Sequence, residues 1–348
     1  MSRNAAIDHL RIGLTALVIL HHVAIVYGGS GGWYWREAPN ASSIPLLFFN
    51  ALNQSFFMGF FFLLAGYFSP QSLEKKGVGP FFTDRLKRLG IPLLGYFFIL
   101  SPLTNLIVRV HAGESPLVAL KGVYQFPNLE PGPLWFCMAL LLFAGLFVGW
   151  RTWRGSRTAL ADRLPGFAWL FAAAIALGLL NFGIRLVVPV GESILWQQLG
   201  YYPCYLFLFF GGCWASRSRL LESLTFPAVW PWLIISIVCA AALPFIFLFP
   251  PGEGAFEGGW NLNALTYALW DPLVGWGIIL ALLWAANKWA RQGTRLTTWL
   301  ARNAYAAFVI HPPVIVTVSL LIAPWSASFY TKFLVTGSLS CVVSAILA

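Results

Sequence analysis

Charge is scarce in this chain. Asp, Glu, Lys and Arg make up 10% of its 348 residues, against about a quarter in an ordinary soluble domain. No long polar stretch interrupts the apolar runs, which excludes a second, water-soluble core. Paired cysteines are also missing: Cys137, Cys204, Cys213, Cys239 and Cys341 lie in or beside apolar segments without the spacing of a disulfide framework or metal site. They read as small core residues, and no metal is expected. The glycine-rich stretch Gly-Gly-Ser-Gly-Gly at 28–32 lacks a following Lys-Ser or Lys-Thr, so it is no phosphate-binding loop. Zinc-hydrolase and serine-hydrolase spacings are absent, as are solenoid periods and an inverted repeat. No small-residue cleavage site follows the first apolar segment, which is therefore expected to be a retained helix.

What is present suits lipid as solvent. Hydrophobic residues make up 59% of the chain, and its mean hydropathy is +0.73. A bilayer core about 30 Å thick needs about 20 apolar residues at 1.5 Å each. That ruler selects spans at 10–28, 46–68, 90–110, 133–150, 167–189, 198–214, 228–249, 261–286, 303–323 and 329–348. The expected fold is an all-α polytopic membrane protein of about ten transmembrane helices, a single membrane domain over 1–348 with no attached soluble domain.

The net charge of +10 invites a nucleic-acid partner, but the basic residues sit in short clusters between spans and report orientation instead. Seventeen of the 22 Lys and Arg fall on one side, in clusters from Arg3 to Arg11, Lys75 to Arg88, Arg151 to Arg163, Arg217 to Arg219 and Lys288 to Arg302. Positive charge stays cytoplasmic, so both termini are expected inside and the loops at 28–32, 111–132 and 250–260 outside. Trp33, Tyr34 and Trp35 fit an interfacial aromatic belt.

Ionisable residues inside a span are costly, which makes each a functional candidate. Arg11 and His22 are 11 residues apart, so they share a helix face, with His22 about 16 Å further along. Asp8 can pair with Arg11 across one turn. A helix-end anchor and an inter-helix hydrogen bond account for the same two residues, and periodicity alone leaves both readings open. His21, about 100° around the helix, is expected to be structural. His311 precedes Pro312 and Pro313, which remove amide donors, and Asp271 precedes Pro272. Either can bridge helices or serve chemistry. Asn181 and Arg185, one turn apart, read as a group facing an external substrate or as a helix-end anchor. In the basic segment before Gly-Ile-Pro, Arg85 and Arg88 are three apart and form one surface suited to phosphate, though a topological charge cluster would look similar.

Taken in order, these residues resemble the acyltransferase 3 family of membrane O-acyltransferases, which includes a branch that succinylates periplasmic glucans. The resemblance covers nearly the whole chain. It rests on Arg11 and His22, Phe-Phe-Phe-Leu-Leu-Ala-Gly-Tyr-Phe-Ser-Pro at 60–70, Arg85 and Arg88 leading into Gly-Ile-Pro, Leu134-Trp135-Phe136, and Asn-Ala-Tyr-Ala-Ala-Phe-Val-Ile-His-Pro-Pro at 303–313. It implies a multi-pass protein of the cell (inner) membrane that uses acyl-CoA, as acetyl-CoA or succinyl-CoA, on the cytoplasmic face. It also implies a hydroxyl acceptor outside, usually carbohydrate. His22 would be the central catalytic residue with Arg11 in support, and Arg85 and Arg88 would lie near the donor. Asp271 stands where related sequences carry Glu.

The chemistry agrees with the residues, because acyl transfer from a thioester to an alcohol needs a base and histidine has a suitable pKa. On this reading His22 takes the hydroxyl proton, Arg11, Arg85 and Arg88 hold the donor, and Asp271 or His311 orients the imidazole or stabilises the tetrahedral intermediate. A transporter or flippase for a lipid-linked or small polar substrate, with the same polar groups along its pathway, is the competing reading.

Overall fold

The computed structural model describes residues 4–125, 128–154, 163–216 and 218–348. Arg3, Arg157 and Arg217, counted above for orientation, lie outside the described residues. Among the described residues there is no strand, and nine helices are long and apolar enough to cross a membrane. In chain order the helices are α1 Ala5–Val26, α2 Ile44–Lys76, α3 Val78–His111, a short α4 Pro116–Val123, α5 Trp135–Arg154, α6 Phe167–Arg185, α7 Tyr202–Ala215, α8 Phe226–Leu248, α9 Leu262–Trp289, α10 Arg295–Ile322 and α11 Phe329–Leu347. The expected span at 198–214 is α7, whose 14 residues follow a 3-10 turn at Leu199–Tyr201. They rise only about 21 Å.

The helices depart from the expected runs at several prolines and at one cap. The apolar run at 46–68 was expected to end before Ser69-Pro70, yet α2 continues to Lys76, with the Ser69 hydroxyl bonded to the Ala65 carbonyl at 2.7 Å. In α3, π-helical turns at Leu86–Gly90 and Tyr96–Leu100 flank Pro92 and precede Pro102. Each proline lacks the N–H that an α-helix would aim at the carbonyl four residues back, so the ladder widens locally. The Phe98 carbonyl, left over by Pro102, accepts the Tyr124 hydroxyl at 3.2 Å. The helix α10 begins eight residues before the expected 303, because Thr294 and Thr297 cap it reciprocally.

The chain divides into two compact units. One comprises the chain up to Leu10, Gln54–Arg85 and Ala139–Gln292. Its helices approach through glycine: a Cβ on Gly212 of α7 would lie 2.1 Å from the Leu63 carbonyl of α2, and one on Gly277 of α9 would lie 2.2 Å from the Trp232 carbonyl of α8. Close backbone contact of this kind supplies dispersion energy where lipid removes the hydrophobic drive between helices.

The other unit comprises Arg11–Asn53, Leu86–Met138 and the chain from Gly293 onward. Ile19, Val23, Tyr27, Leu46 and Ile315 form its buried apolar cluster. Polar ties supplement them. Asn50 and Asn53, one turn apart on α2, each donate at 3.0 Å, to the His21 and Leu17 carbonyls of α1 respectively. The Tyr27 and Thr336 hydroxyls meet at 2.7 Å.

Candidate active site

The second unit brings two of the sequence candidates together. His22, on α1, and His311, on α10, stack with ring centroids 5.2 Å apart and planes within 16°. Trp33, in the loop after α1, lies 4.1 Å from His22 and 6.0 Å from His311, nearly parallel to both. Three buried nitrogens in this stack have no hydrogen-bond partner: Nδ1 of His22, Nε2 of His311 and Nε1 of Trp33. Leaving such groups unpaired costs about 1–3 kcal/mol each, and here three of them lie on rings stacked together. The remaining imidazole nitrogen of His311, Nδ1, lies 2.5 Å from the Phe308 carbonyl. His21 is buried at right angles to His22, and its backbone carbonyl accepts from Asn50.

Trp33 was read from the sequence as a belt residue. What carries it to His22 is the glycine-rich turn, where Gly28 (φ +114°) and Gly31 (φ +126°) take left-handed conformations that other residues rarely adopt. The Gly29 amide caps α1 at the Ala24 carbonyl (2.8 Å), and Arg36 returns to the Gly29 carbonyl at 2.9 Å. Further along the loop, Glu37 pairs with a nearly buried Lys332 of α11 at 2.5 Å, and Lys332 also donates to the Ala323 carbonyl at 2.9 Å. Beside Trp33, the Tyr34 and Tyr96 hydroxyls meet at 2.8 Å. Burial raises the pKa of Glu130, which is hydrogen-bonded to Tyr34, and the same burial together with the Glu130 charge raises that of Tyr34.

The first unit holds Asp271 in a different setting. Asp271, on α9, forms a buried ion pair with Arg185 of α6, a side chain with no exposure. Arg185 also donates through Nε to the Gly200 carbonyl at 3.1 Å, and its guanidinium lies 4.7 Å from the Tyr201 ring centroid and 5.4 Å from that of Tyr267. Asn181, one turn before, donates to Cys204 at 3.3 Å. Arg185 is therefore neither a helix-end anchor at the lipid headgroups nor an outward-facing group. A cation this apolar in its surroundings needs a carboxylate beside it, and the partner 86 residues later was not legible from spacing.

The basic candidates are distributed between the units. Arg85 donates to the Ser69 hydroxyl at 3.0 Å and its guanidinium stands 5.2 Å from the Phe81 ring centroid. Arg88 is exposed in the π-helical turn Leu86–Gly90, and Arg11 lies in α1. No group of three or more His, Cys, Asp or Glu side chains able to hold a metal occurs among the described residues.

The acyltransferase domain family (acyltransferase 3) has a family model that matches residues 4–348. The chain belongs to this family. Among curated relatives of this acyltransferase-family chain, glucans biosynthesis protein C of Salmonella schwarzengrund (strain CVM19633) is 26% identical over 221 residues, covering 59% of this chain and 57% of the relative. Glucans biosynthesis protein C of Escherichia coli (strain K12) is 29% identical over 150 residues, covering 42% of this chain and 38% of the relative. The matches thus span about half or less of those proteins' own length. No solved structure matches the chain. Family and helices together make it a multi-pass membrane protein.

Proposed function

We propose that this protein is a membrane O-acyltransferase that moves an acyl group from acyl-CoA, acetyl-CoA or succinyl-CoA, to a hydroxyl of a carbohydrate acceptor outside the cell membrane. The observation that carries the reading is the stack of His22 on His311 in a chain of this family, with unpartnered nitrogens on both rings. A thioester and an alcohol need a proton acceptor at the hydroxyl as the new C–O bond forms, and a neutral imidazole is suited to it. The relatives named for glucan biosynthesis support a carbohydrate acceptor.

In this scheme both termini face the cytoplasm of the inner membrane, and residues 1–348 act as one membrane domain. His22 is the central catalytic group with Arg11 in its support. Arg11, Arg85 and Arg88 bind the donor's phosphates, for which guanidinium is the matching donor. His311 is the second imidazole. Asp271 has the more indirect part, holding Arg185 and with it the local arrangement of α6 and α9.

Purified protein in detergent or nanodiscs, given acetyl-CoA or succinyl-CoA with a membrane glycan extract, should release free thiol and produce acylated glycan by mass spectrometry. Absence of binding and of turnover with either donor would reject the reading. Changing Arg85 and Arg88 to Ala should weaken donor binding by about tenfold, the equivalent of 1.4 kcal/mol, and unchanged binding would remove them from the donor site.

A further inference from the structure

The sequence His311-Pro312-Pro313 contains a device that its composition alone does not reveal. In a regular helix the amide N–H of residue 312 would bond to the carbonyl of residue 308. Proline has no N–H, so the Phe308 carbonyl loses its intrahelical partner. Nδ1 of His311 occupies the vacancy at 2.5 Å. A carbonyl oxygen can only accept, so Nδ1 must carry the proton. The neutral ring then has its lone pair on Nε2, which is buried and without a partner. The same substitution of a side-chain donor for a missing proline amide occurs at Phe98, where Pro102 leaves the carbonyl to Tyr124. There the donor is a phenol. At His311 the consequence is chemical, because it determines which nitrogen is basic.

We propose that Nε2 of His311, held in the basic tautomer by Pro312 through the Phe308 carbonyl, is the atom that accepts the proton from the acceptor hydroxyl. This rests on the acyl-transfer reading above and divides its imidazole pair. The hydroxyl oxygen bonds to the carbonyl carbon of the acyl thioester as its proton passes to Nε2. The tetrahedral intermediate collapses with cleavage of the C–S bond, and the proton on Nε2 passes to the departing thiolate sulfur. The ring returns to its starting tautomer and the products are an ester and a free thiol. His22 lies flat beside this ring and Trp33 beside both, so the lone pair works within a wall of near-parallel rings. Among the described residues no carboxylate is seen to pair with either imidazole.

The test separates the tautomer from the activity. Protein with ring-labelled histidine, compared with a His311→Asn variant to assign the signals, is read by nitrogen NMR. The wild type should show His311 protonated at Nδ1 and bare at Nε2. A dominant Nε2–H form would overturn the proposal whatever the activity. Pro312→Ala restores an amide for the Phe308 carbonyl, and should shift His311 toward a mixture of tautomers while lowering kcat several-fold with donor affinity unchanged. A Pro312→Ala variant whose tautomer becomes mixed but whose kcat is that of the wild type would also overturn it. In His311→Asn the side-chain amide can still donate to the Phe308 carbonyl, so thermal stability should stay near that of the wild type while transfer falls at least 100-fold, on the order expected for a lost general base. Retained transfer in a folded His311→Asn protein would refute the role of Nε2. Failure of the wild type to transfer any acyl group, with the Nδ1–H tautomer present, would instead reject the functional reading on which the proposal rests.

Discussion

The two buried polar clusters solve the problem of polarity in a membrane protein in opposite ways. Around Arg185 and Asp271, full charges pair with each other, and two tyrosine rings and a backbone carbonyl also face the cation, while Nη1 of Arg185 and Oδ1 of Asp271 stay without a hydrogen-bond partner. Around His22 and His311 the rings are stacked, no carboxylate pairs with them among the described residues, and Nδ1 of His22 and Nε2 of His311 are without a hydrogen-bond partner. The first arrangement is expensive to disturb because either partner alone would be a stranded charge. The second holds no such pair, so removing one ring strands no ion. The difference is between a cluster built on a charge pair and one built on stacked rings.

Changing His22 to Ala breaks the comparison most sharply. Transfer should fall steeply as His311 loses the ring stacked against it, while expression, thermal stability and donor binding remain near wild type. A variant that fails to fold would instead place His22 with the structural cluster. Changing Arg185 or Asp271 alone should do the reverse, costing about 3–5 kcal/mol of stability as the survivor is left unpaired. Arg185→Met combined with Asp271→Leu should recover most of that loss in detergent unfolding curves, and a double variant no better than the singles would show the pair to have a duty beyond neutralisation.

Between these extremes stands the Lys332 and Glu37 pair. Lys332→Met should cost about 2 kcal/mol, the scale of a hydrogen bond to a charged group. It should also lower transfer if the loop carrying Trp33 must stay in register with His22, which parallel melting and turnover measurements can separate. The smallest effect is expected at Glu130. Burial holds its carboxyl above the ordinary range near about 4.3, so folding favours the protonated form. Its contribution is fully present below the unfolded pKa and is lost as pH rises through the folded one. Glu130→Gln should flatten that part of the melting-temperature profile, and an unchanged slope would mean that the carboxyl is solvated.

Hydropathy made the helices legible because lipid imposes one length on every span, and seven of the ten expected runs correspond to helices of similar extent. The prolines misled. The run at 46–68 belongs to a helix that continues through Pro70 to Lys76, and the prolines of α3 hid π-helical turns, because a proline removes one amide without dictating how the surrounding turns adjust. His22 and His311 were each visible as intramembrane ionisable residues, but their stacking was not, since no rule of spacing links α1 to α10 across 289 residues. Arg185 and Asp271 were visible singly for the same reason. Trp33 was missed because an aromatic beside the first span satisfies the belt rule, and only the turn geometry at Gly28 and Gly31 says that the loop folds back.

The double grip on Lys332 makes the segment bearing Trp33 a catch rather than a rivet. If Glu37 swings away, the ammonium still has the Ala323 carbonyl, so release leaves a partly satisfied cation in place of an isolated one. Breaking the Glu37 contact alone therefore costs less than stranding a buried cation, while the Glu37 amide on the Val26 carbonyl still ties the segment to the end of α1.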